Sequence, residues 1–206
     1  MKEPRRSALG LLYEIFGEEL WSRSDLLEDF SGAELLTLKG MLAKGVNSPL
    51  TSSAGRLFDG VAALAGLRAR STFEGQAAMD LEFAVDPEVS GSYPFALRKT
   101  SPVVIDWGPA LEALLADRAK AAASLMAARF HHFLAQAICA VARHVAQPLV
   151  VLSGGCFQNR YLTEHVINLL RREGFQPCWH ERVPPNDGGI ALGQVYAAIS
   201  STGAVR

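Results

Sequence analysis

A glycine pair lies in the run Ser153-Gly154-Gly155-Cys156-Phe157-Gln158-Asn159, between an apolar segment and an amphipathic one. The pattern predicts a strand that ends at this loop and a helix that begins near Asn159, so free backbone N–H groups and the positive end of the helix dipole converge there. Without Cβ atoms, Gly154 and Gly155 would let a phosphate approach the backbone, and Asn159 could cap the helix or bind a ligand. The loop lacks both the lysine of a Walker A motif and the spacing of a dinucleotide fingerprint. It favours anion binding, with a plain tight turn as the alternative.

A second segment, Pro184 to Gln194, holds one acid, Asp187, followed by Gly188 and Gly189. Aspartate at the start of a helix often caps it, because its side chain accepts a hydrogen bond from a free backbone N–H group. The same carboxylate is a hard oxygen ligand, suited to a divalent cation that also contacts phosphate. The segment therefore predicts either a cap or a metal ligand.

A third segment runs from Ser52 to Gly66 and carries small residues at helical spacing. Gly55, Asp59, Ala62 and Gly66 would share one face of a helix. That face permits the close approach of another helix or of a ribose, whose hydroxyls could donate hydrogen bonds to Asp59.

Other candidates are weaker. His131 and His132 would point about 100° apart on a helix, whereas helical metal pairs are four positions apart, so we expect structural or surface residues. His180 lies where a predicted strand ends and could contact a substrate. The three cysteines lack CxxC spacing and predict free thiols rather than disulfides or a thiolate metal site. They are Cys139, Cys156 and Cys178. No residue is assigned a catalytic role.

The elements that position these segments follow from hydrophobic spacing. The last sixty residues predict a βαβ unit, with a buried strand at 148–152, a helix at 159–173 and a strand at 176–180, before a helix at about 187–200. The upstream prediction is, in order, short helices at 11–16, 25–30 and 33–42, helices at 54–67 and 74–83, a small β-hairpin within 91–106, and two helices within 109–145 that break near 117–120.

Composition excludes several classes of protein. The 206 residues are 49% hydrophobic, with 20 Lys and Arg against 21 Asp and Glu, so a basic stripe for nucleic acid is not expected. The longest largely apolar runs fall short of the roughly 20 residues that a membrane span needs, and the N-terminus lacks a signal-peptide core. We therefore expect no nucleic-acid partner, no membrane segment and a cytoplasmic location.

Four strings together, at 51–59, 73–78, 152–159 and 183–194, resemble the C-terminal Kae-like region of HypF carbamoyltransferases. The resemblance implies an α/β, helix-rich chain that forms one lobe of an actin/Hsp70-like ATPase fold with a C-terminal βαβ unit. Residues 1–206 would be the C-terminal lobe of the carbamoyltransferase domain. Within it, a helical part would reach about residue 90, a hairpin would occupy about 91–106, and a helical block with the βαβ unit would fill 107–206.

The same resemblance implies an activity in the maturation of nickel–iron hydrogenases. A carbamoyl group from carbamoyl phosphate would pass through carbamoyl adenylate, made with ATP, to the C-terminal cysteine of a HypE-like partner. Gly154, Gly155 and Asn159 would hold the nucleotide, Gly66 would lie near its ribose or base, and Asp187 would bind a divalent metal such as iron, zinc or magnesium. Asn159 and Asp187 are 28 positions apart, which suits two successive helix starts that face one crevice at the strand ends.

The chain departs from the family's wider pattern in two places. Where tRNA-modifying relatives have an acid, it has Ser52 and Ser53, so Asp59 or the Ser53 hydroxyl would have to contact the nucleotide instead. The HxxxH metal motif of an N-terminal lobe is not found here, so that lobe is a predicted partner and the isolated chain is expected to be inactive. Two alternatives stay open: a sugar-kinase-like phosphotransferase of the same fold, and a non-catalytic docking module for the maturation partner.

Overall fold

The structure is a computed structural model that describes residues 3–201, and helices dominate it. The eight α-helices of this part of the chain are α1 (Pro4–Phe16), α2 (Gly32–Lys44), α3 (Ala54–Leu64), α4 (Gln76–Phe83), α5 (Gly108–Arg118), α6 (Ala123–Val145), α7 (Arg160–Arg172) and α8 (Ile190–Ser201). The four strands are β1 (Ala96–Arg98), β2 (Val104–Asp106), β3 (Leu149–Leu152) and β4 (Gln176–Trp179). Short 3-10 turns cover Gly17–Ser22, Ser24–Leu26, Gly155–Gln158 and Asp187–Gly189.

Local signals explain several helix ends. Ser31 and Glu34 form a capping box at the start of α2, and Gly45 ends that helix in the left-handed region at φ 65°. The predicted helix at 25–30 is wrong, because only a 3-10 turn at Ser24–Leu26 forms there. The predicted break in the helical block is confirmed by the gap between α5 and α6.

The chain divides into two compact units. The first runs to Pro94 and resumes at Trp107–Phe130, and the second comprises Phe95–Asp106 with the chain from His131 onward. In the first unit α1 packs on α3 at Gly60, where a Cβ would lie only 3.3 Å from the Ala8 backbone nitrogen. Close helix packing is therefore built into the sequence at this glycine.

The second unit holds both sheets. The predicted hairpin forms as the antiparallel pair β1 and β2, with Leu97 opposite Ile105. The predicted βαβ unit is also confirmed, since β3 and β4 are parallel, with Leu152 opposite Trp179, and α7 connects them. Helix α7 buries one apolar side, which includes Leu162, Val166 and Leu170.

The prediction of a fully buried first strand is wrong. Leu149 is 54% exposed and Val151 65% exposed, whereas Leu152 on the opposite face is 2% exposed. Helix α8 is exposed along its whole length, although it carries five large hydrophobic residues that remain more than 40% exposed. They are Ile190, Leu192, Val195, Tyr196 and Ile199.

Helix α6 is, by length and composition alone, apolar enough to cross a membrane. Within its most apolar window, 61% of the residues are buried inside the protein. Its buried side chains include Phe130, which belongs to the first unit and meets Phe58 of the same unit edge to face at 5.1 Å. A buried helix with such packing is typical of a protein core.

Candidate functional site

The glycine loop follows β3 directly. Gly154 has φ 104° and ψ 162°, a conformation that is essentially restricted to glycine, and a 3-10 turn at Gly155–Gln158 leads into α7. Both glycines are exposed. The first N–H groups of such a turn, those of Gly155 and Cys156, have no partner within the turn itself and can serve an anion.

The second loop meets the first through the backbone. The Gly154 N–H group donates a hydrogen bond of 2.8 Å to the carbonyl oxygen of Pro185. This contact removes one donor from the predicted anion site, because the Gly154 N–H group is already bonded. It also brings the segment before Asp187 to the glycine loop, as the sequence predicted for two successive helix starts.

The parallel strands end at the same edge of their sheet. There the Ser153 hydroxyl lies 3.1 Å from His180 Nε2, and both residues are exposed. His180 was predicted only to lie near a strand end. Its partner could not have been found from local sequence, because the two residues are 27 positions apart.

Asn186, and not Asp187, caps the turn that precedes α8. The Asn186 side chain accepts a hydrogen bond of 2.9 Å from the Gly188 N–H group. The capping interpretation of Asp187 is therefore wrong. The exposed Asp187 carboxylate makes no side-chain hydrogen bond or ion pair with the described residues, 3–201, so it is available to a ligand.

Asn159 has a structural task of its own. It is the N-cap of α7, and its Oδ1 accepts a hydrogen bond of 2.8 Å from the Leu162 N–H group. Its Nδ2 lies 2.8 Å from His131 Nε2, and the residue is only 8% exposed. The capping alternative is thus confirmed, while direct contact between Asn159 and a nucleotide stays a prediction.

The remaining predicted residues lie in the first unit, on α3 or at its end. Asp59 is 5% exposed, and burial raises its pKa although the nearby Arg56 guanidinium acts in the opposite direction. A guanidinium nitrogen of Arg56 lies 2.9 Å from Asp59 Oδ2, but this oxygen accepts no hydrogen bond of good geometry from the described residues. The structure therefore leaves an acceptor oxygen of Asp59 incompletely satisfied.

Ser53 and Gly66 flank the same helix. Ser53 holds the N-cap position of α3 without a capping hydrogen bond from its side chain, and it is exposed. Gly66 has φ 75°, and the neighbouring Leu67 N–H group bonds back to Ala62 by 2.9 Å, which closes the helix end. Gly66 is thus explained by chain reversal, and its proximity to a ribose or base stays a prediction.

The cysteines are free thiols, as predicted. Burial raises the pKa of Cys156, so the thiol of the glycine loop stays protonated at neutral pH. Among residues 3–201 there is no cluster of three or more His, Cys, Asp or Glu side chains that could hold a metal ion. Any metal at Asp187 would need ligands from outside this set.

A cavity of about 470 Å³ opens beside the glycine loop, lined by Phe157, Gln158, Arg171 and Trp179 among others. The Arg171 guanidinium lies 5.2 Å from the centre of the Trp179 ring. Gly154, Gly155 and Asp187 do not line this cavity, so the candidate site is an open edge and not an enclosed pocket.

Comparison with known families identifies this arrangement. Residues 1–194 match the family model described as the second subdomain of the Kae1-like domain of carbamoyltransferase. The chain belongs to the HypF carbamoyltransferase family. This confirms the family resemblance drawn from the four sequence strings.

Curated relatives agree over almost the whole chain. HypF of Synechocystis sp. is 38% identical over 98% of the chain, and the probable HypF of Methanocaldococcus jannaschii is 31% identical over 98%. These alignments cover 28% and 27% of the two relatives, so the chain spans about a quarter of their length.

Solved structures agree as well. A full-length HypF crystallised in the phosphate- and nucleotide-bound form matches 94% of the chain and 26% of its own length, with a TM-score of 0.84 and 34% identity. HypF of T. kodakarensis matches 96% of the chain and 27% of its own length, with a TM-score of 0.76 and 25% identity. The helix-rich architecture with small sheets is thus that of part of HypF.

Proposed function

We propose that this chain forms one wall of a carbamoyltransferase active site. In the reaction, hydrolysis of carbamoyl phosphate would release phosphate and leave carbamate, whose oxygen attacks the α-phosphate of ATP to give carbamoyl adenylate and pyrophosphate. The carbamoyl group then passes to the C-terminal cysteine of a HypE-like partner. Membership of the HypF family favours carbamoyl transfer over the sugar-kinase-like alternative. We place the reaction in the cytoplasm.

One observation carries the proposal. The Gly154 N–H group and the Pro185 carbonyl oxygen, 2.8 Å apart, join the glycine loop to the segment before Asp187. Exposed backbone donors and an exposed carboxylate therefore share the carboxyl edge of one parallel sheet, where ligands bind in open α/β folds. A sealed glycine loop or an inward-facing Asp187 would have contradicted this function.

The chain's own groups have defined roles in this scheme. The N–H groups of Gly155 and Cys156, at a turn that feeds a helix N-terminus, would bind the adenylate phosphate. When the cysteine thiolate of the partner attacks the carbamoyl carbon, the bond from that carbon to the phosphate oxygen breaks and AMP leaves. Those same N–H groups would stabilise the charge that develops on the departing phosphate.

Asp187 fits a metal only as one ligand among several. Its exposed carboxylate offers hard oxygen chemistry, and no metal cluster exists among residues 3–201, so further ligands would come from nucleotide phosphates and another lobe. Iron, zinc and magnesium are all compatible with a single carboxylate. Such an ion would supply Lewis-acid polarisation and charge neutralisation.

The first unit would contact the nucleoside. The incompletely satisfied Oδ2 of Asp59 and the exposed hydroxyl of Ser53 are acceptors of the kind that ribose hydroxyls require. Gly66 would lie near the ribose or base. In this proposal the whole chain acts as one lobe of an actin/Hsp70-like ATPase fold.

The predicted N-terminal lobe would cover apolar surface that this chain leaves open. A parallel sheet is normally covered on both faces, yet Leu149 and Val151 of β3 are exposed, as is all of α8. The same surface would suit the docking-module alternative, in which the chain binds the maturation partner without catalysis. A folded variant with Asp187→Ala and Gly154→Val that still binds the maturation partner in a pull-down would favour docking over catalysis.

Two variants of the chain test the location of the nucleotide. Binding of ATP with Mg²⁺ is measured by saturation-transfer NMR on the 206-residue chain and on Gly155→Ala and Asp187→Asn. A Cβ at position 155 meets only Gln158 Oε1, at 4.0 Å, so Gly155→Ala keeps the fold but obstructs phosphate. We expect weaker ATP binding in both variants, and in Asp187→Asn also a weaker dependence on Mg²⁺.

Two results would contradict the proposal. ATP binding that is unchanged in Gly155→Ala would place the nucleotide elsewhere. Robust transfer of a carbamoyl group from carbamoyl phosphate and ATP by the isolated chain would show that no further lobe is needed.

A further inference from the structure

A buried polar contact lies behind the glycine loop. His131, on α6, is 0% exposed, and its Nε2 lies 2.8 Å from Nδ2 of the α7 cap residue Asn159. A buried polar pair stabilises a structure only when donor and acceptor are matched, and a mismatch is strongly destabilising. The protonation of His131 is therefore a structural requirement.

The cap determines which nitrogen of His131 carries the proton. Asn159 Oδ1 accepts from the Leu162 N–H group, so the amide NH₂ is the group that faces His131. An NH₂ group can only donate, and Nε2 must then be an acceptor without a proton. The geometry assigns His131 as the neutral imidazole with its proton on Nδ1.

Asn159 connects His131 to the glycine loop through backbone hydrogen bonds. Its own N–H group donates to the Cys156 carbonyl oxygen at 3.2 Å, and the Phe157 N–H group donates to that of Gly154 at 3.0 Å. Through Asn159, His131 is thus connected to the turn that begins with Gly155 and Cys156.

Aromatic packing holds the His131 ring in place. The Tyr161 ring meets it edge to face at 5.6 Å, and the Tyr161 hydroxyl lies 2.8 Å from His132 Nε2. His132 in turn stacks on His165 with ring centres 4.5 Å apart. Rotation of His131 would disturb both helices, so its orientation is fixed from two sides.

We infer that His131 is a positioning residue for the nucleotide phosphate. By accepting from Asn159 it fixes the rotamer that caps α7 and thereby holds the Gly155 and Cys156 N–H groups toward the ligand. The inference rests on the proposed function only for the identity of that ligand.

The test uses the whole chain and two substitutions at one position. Gln at 131 can place Oε1 where Nε2 accepts, whereas Leu offers no acceptor. Long-range ¹H–¹⁵N NMR identifies the protonated nitrogen of His131 in the unaltered chain, and hydrogen exchange measures opening of the Leu162 N–H group. His144→Leu is the matched control, because His144 is an exposed histidine of the same helix.

We expect the proton on Nδ1. In His131→Leu we expect Leu162 exchange to be faster by about fivefold or more, the factor that corresponds to one net hydrogen bond. The amide resonances of Gly155 and Cys156 should shift, His131→Gln should restore both measurements, and His144→Leu should leave them unchanged. If His131→Leu does not fold, the inference is still tested by the protonated nitrogen of His131 in the unaltered chain and by Leu162 exchange in His131→Gln.

A proton on Nε2, an unchanged Leu162 exchange rate in His131→Leu, or a failure of Gln to restore it would overturn the inference. ATP binding separates the inference from the proposed function. If the loop resonances respond to His131 as expected but ATP binding does not respond to Gly155→Ala, the positioning of the loop stands and the nucleotide proposal fails.

Discussion

Substitution of the two adjacent glycines by alanine should separate the stability of the loop from its chemistry. Gly154 has φ 104° and ψ 162°, a region that costs a residue with a Cβ about 1–3 kcal/mol. No atom lies within 4 Å of a Cβ built there, so the cost of Gly154→Ala is backbone strain alone. Gly155 is not in the left-handed region, and its Cβ would make only an ordinary contact, so Gly155→Ala should change the unfolding free energy by less than about 0.5 kcal/mol.

The assay is urea unfolding followed by the fluorescence of Trp179, which lies in β4 of the same unit. Trp21 and Trp107 belong to the other unit and are replaced by phenylalanine in every protein compared, so that the signal reports the loop's own unit. The free energy of unfolding is extrapolated to water for the two alanine variants and for their common parent.

Equal unfolding free energies for Gly154→Ala and Gly155→Ala would refute the reasoning. That result would mean that Gly154 does not adopt its positive φ, and that the loop has a different shape. The opposite order, with Gly155→Ala the more costly change, would refute it as well, because the fold demands no glycine at that position. Only a stable Gly155→Ala variant makes its ATP binding interpretable.

Three further predictions concern titration and packing. Burial raises the pKa of Asp59, so its ionised form destabilises the fold. Asp59→Asn should therefore raise the thermal midpoint at pH 7, and the gain should vanish as the pH falls below the unfolded-state value of 3.8, where the carboxyl is protonated in both states. Burial, with the nearby His132 charge, lowers the pKa of His165, so stability should fall as pH drops below about 6.5 and the fall should be smaller in His165→Phe. Gly60→Ala should lower the free energy of unfolding in urea by about 1 kcal/mol, because its Cβ would overlap the Leu11 side chain and crowd the α1 backbone. Gly10→Ala, where a Cβ would meet open space, should raise that free energy by about 0.5–1 kcal/mol.

Local sequence patterns predicted the βαβ unit well. The periodicity of α7, the apolar run of β3 and the turn at Gly174 are signals that act over a few residues, so they survive whatever surrounds them. The error concerned burial. An apolar run was interpreted as a strand covered on both faces, and Leu149 and Val151 have the residue type for that, but nothing among residues 3–201 covers their face.

The candidate site was predicted in part, and the failures share a cause. Two side chains compete to cap the turn before α8, and sequence could not decide that Asn186 would take the cap and release Asp187. The contact of His131 with Asn159 joins positions 28 apart on two helices, so it depends on helix packing and leaves no local signal. His131 was predicted to be a structural or surface residue, and the structure shows it buried, but its contact with the loop was missed.

The residues predicted to contact the nucleotide differ in whether the fold itself requires their identity. Gly154 and Gly66 have positive φ angles, and Asn159 caps a helix, so the identity of each is required by chain geometry whether or not a ligand binds. Gly155 and Asp187 differ, because a Cβ is sterically accepted at position 155 and residues 3–201 give the Asp187 side chain no hydrogen bond. A residue that stability does not require is the more informative site for a functional test, since a loss of activity on its substitution cannot be assigned to unfolding. Substitutions of Gly155 and Asp187 are therefore the most direct tests of the carbamoyltransferase proposal.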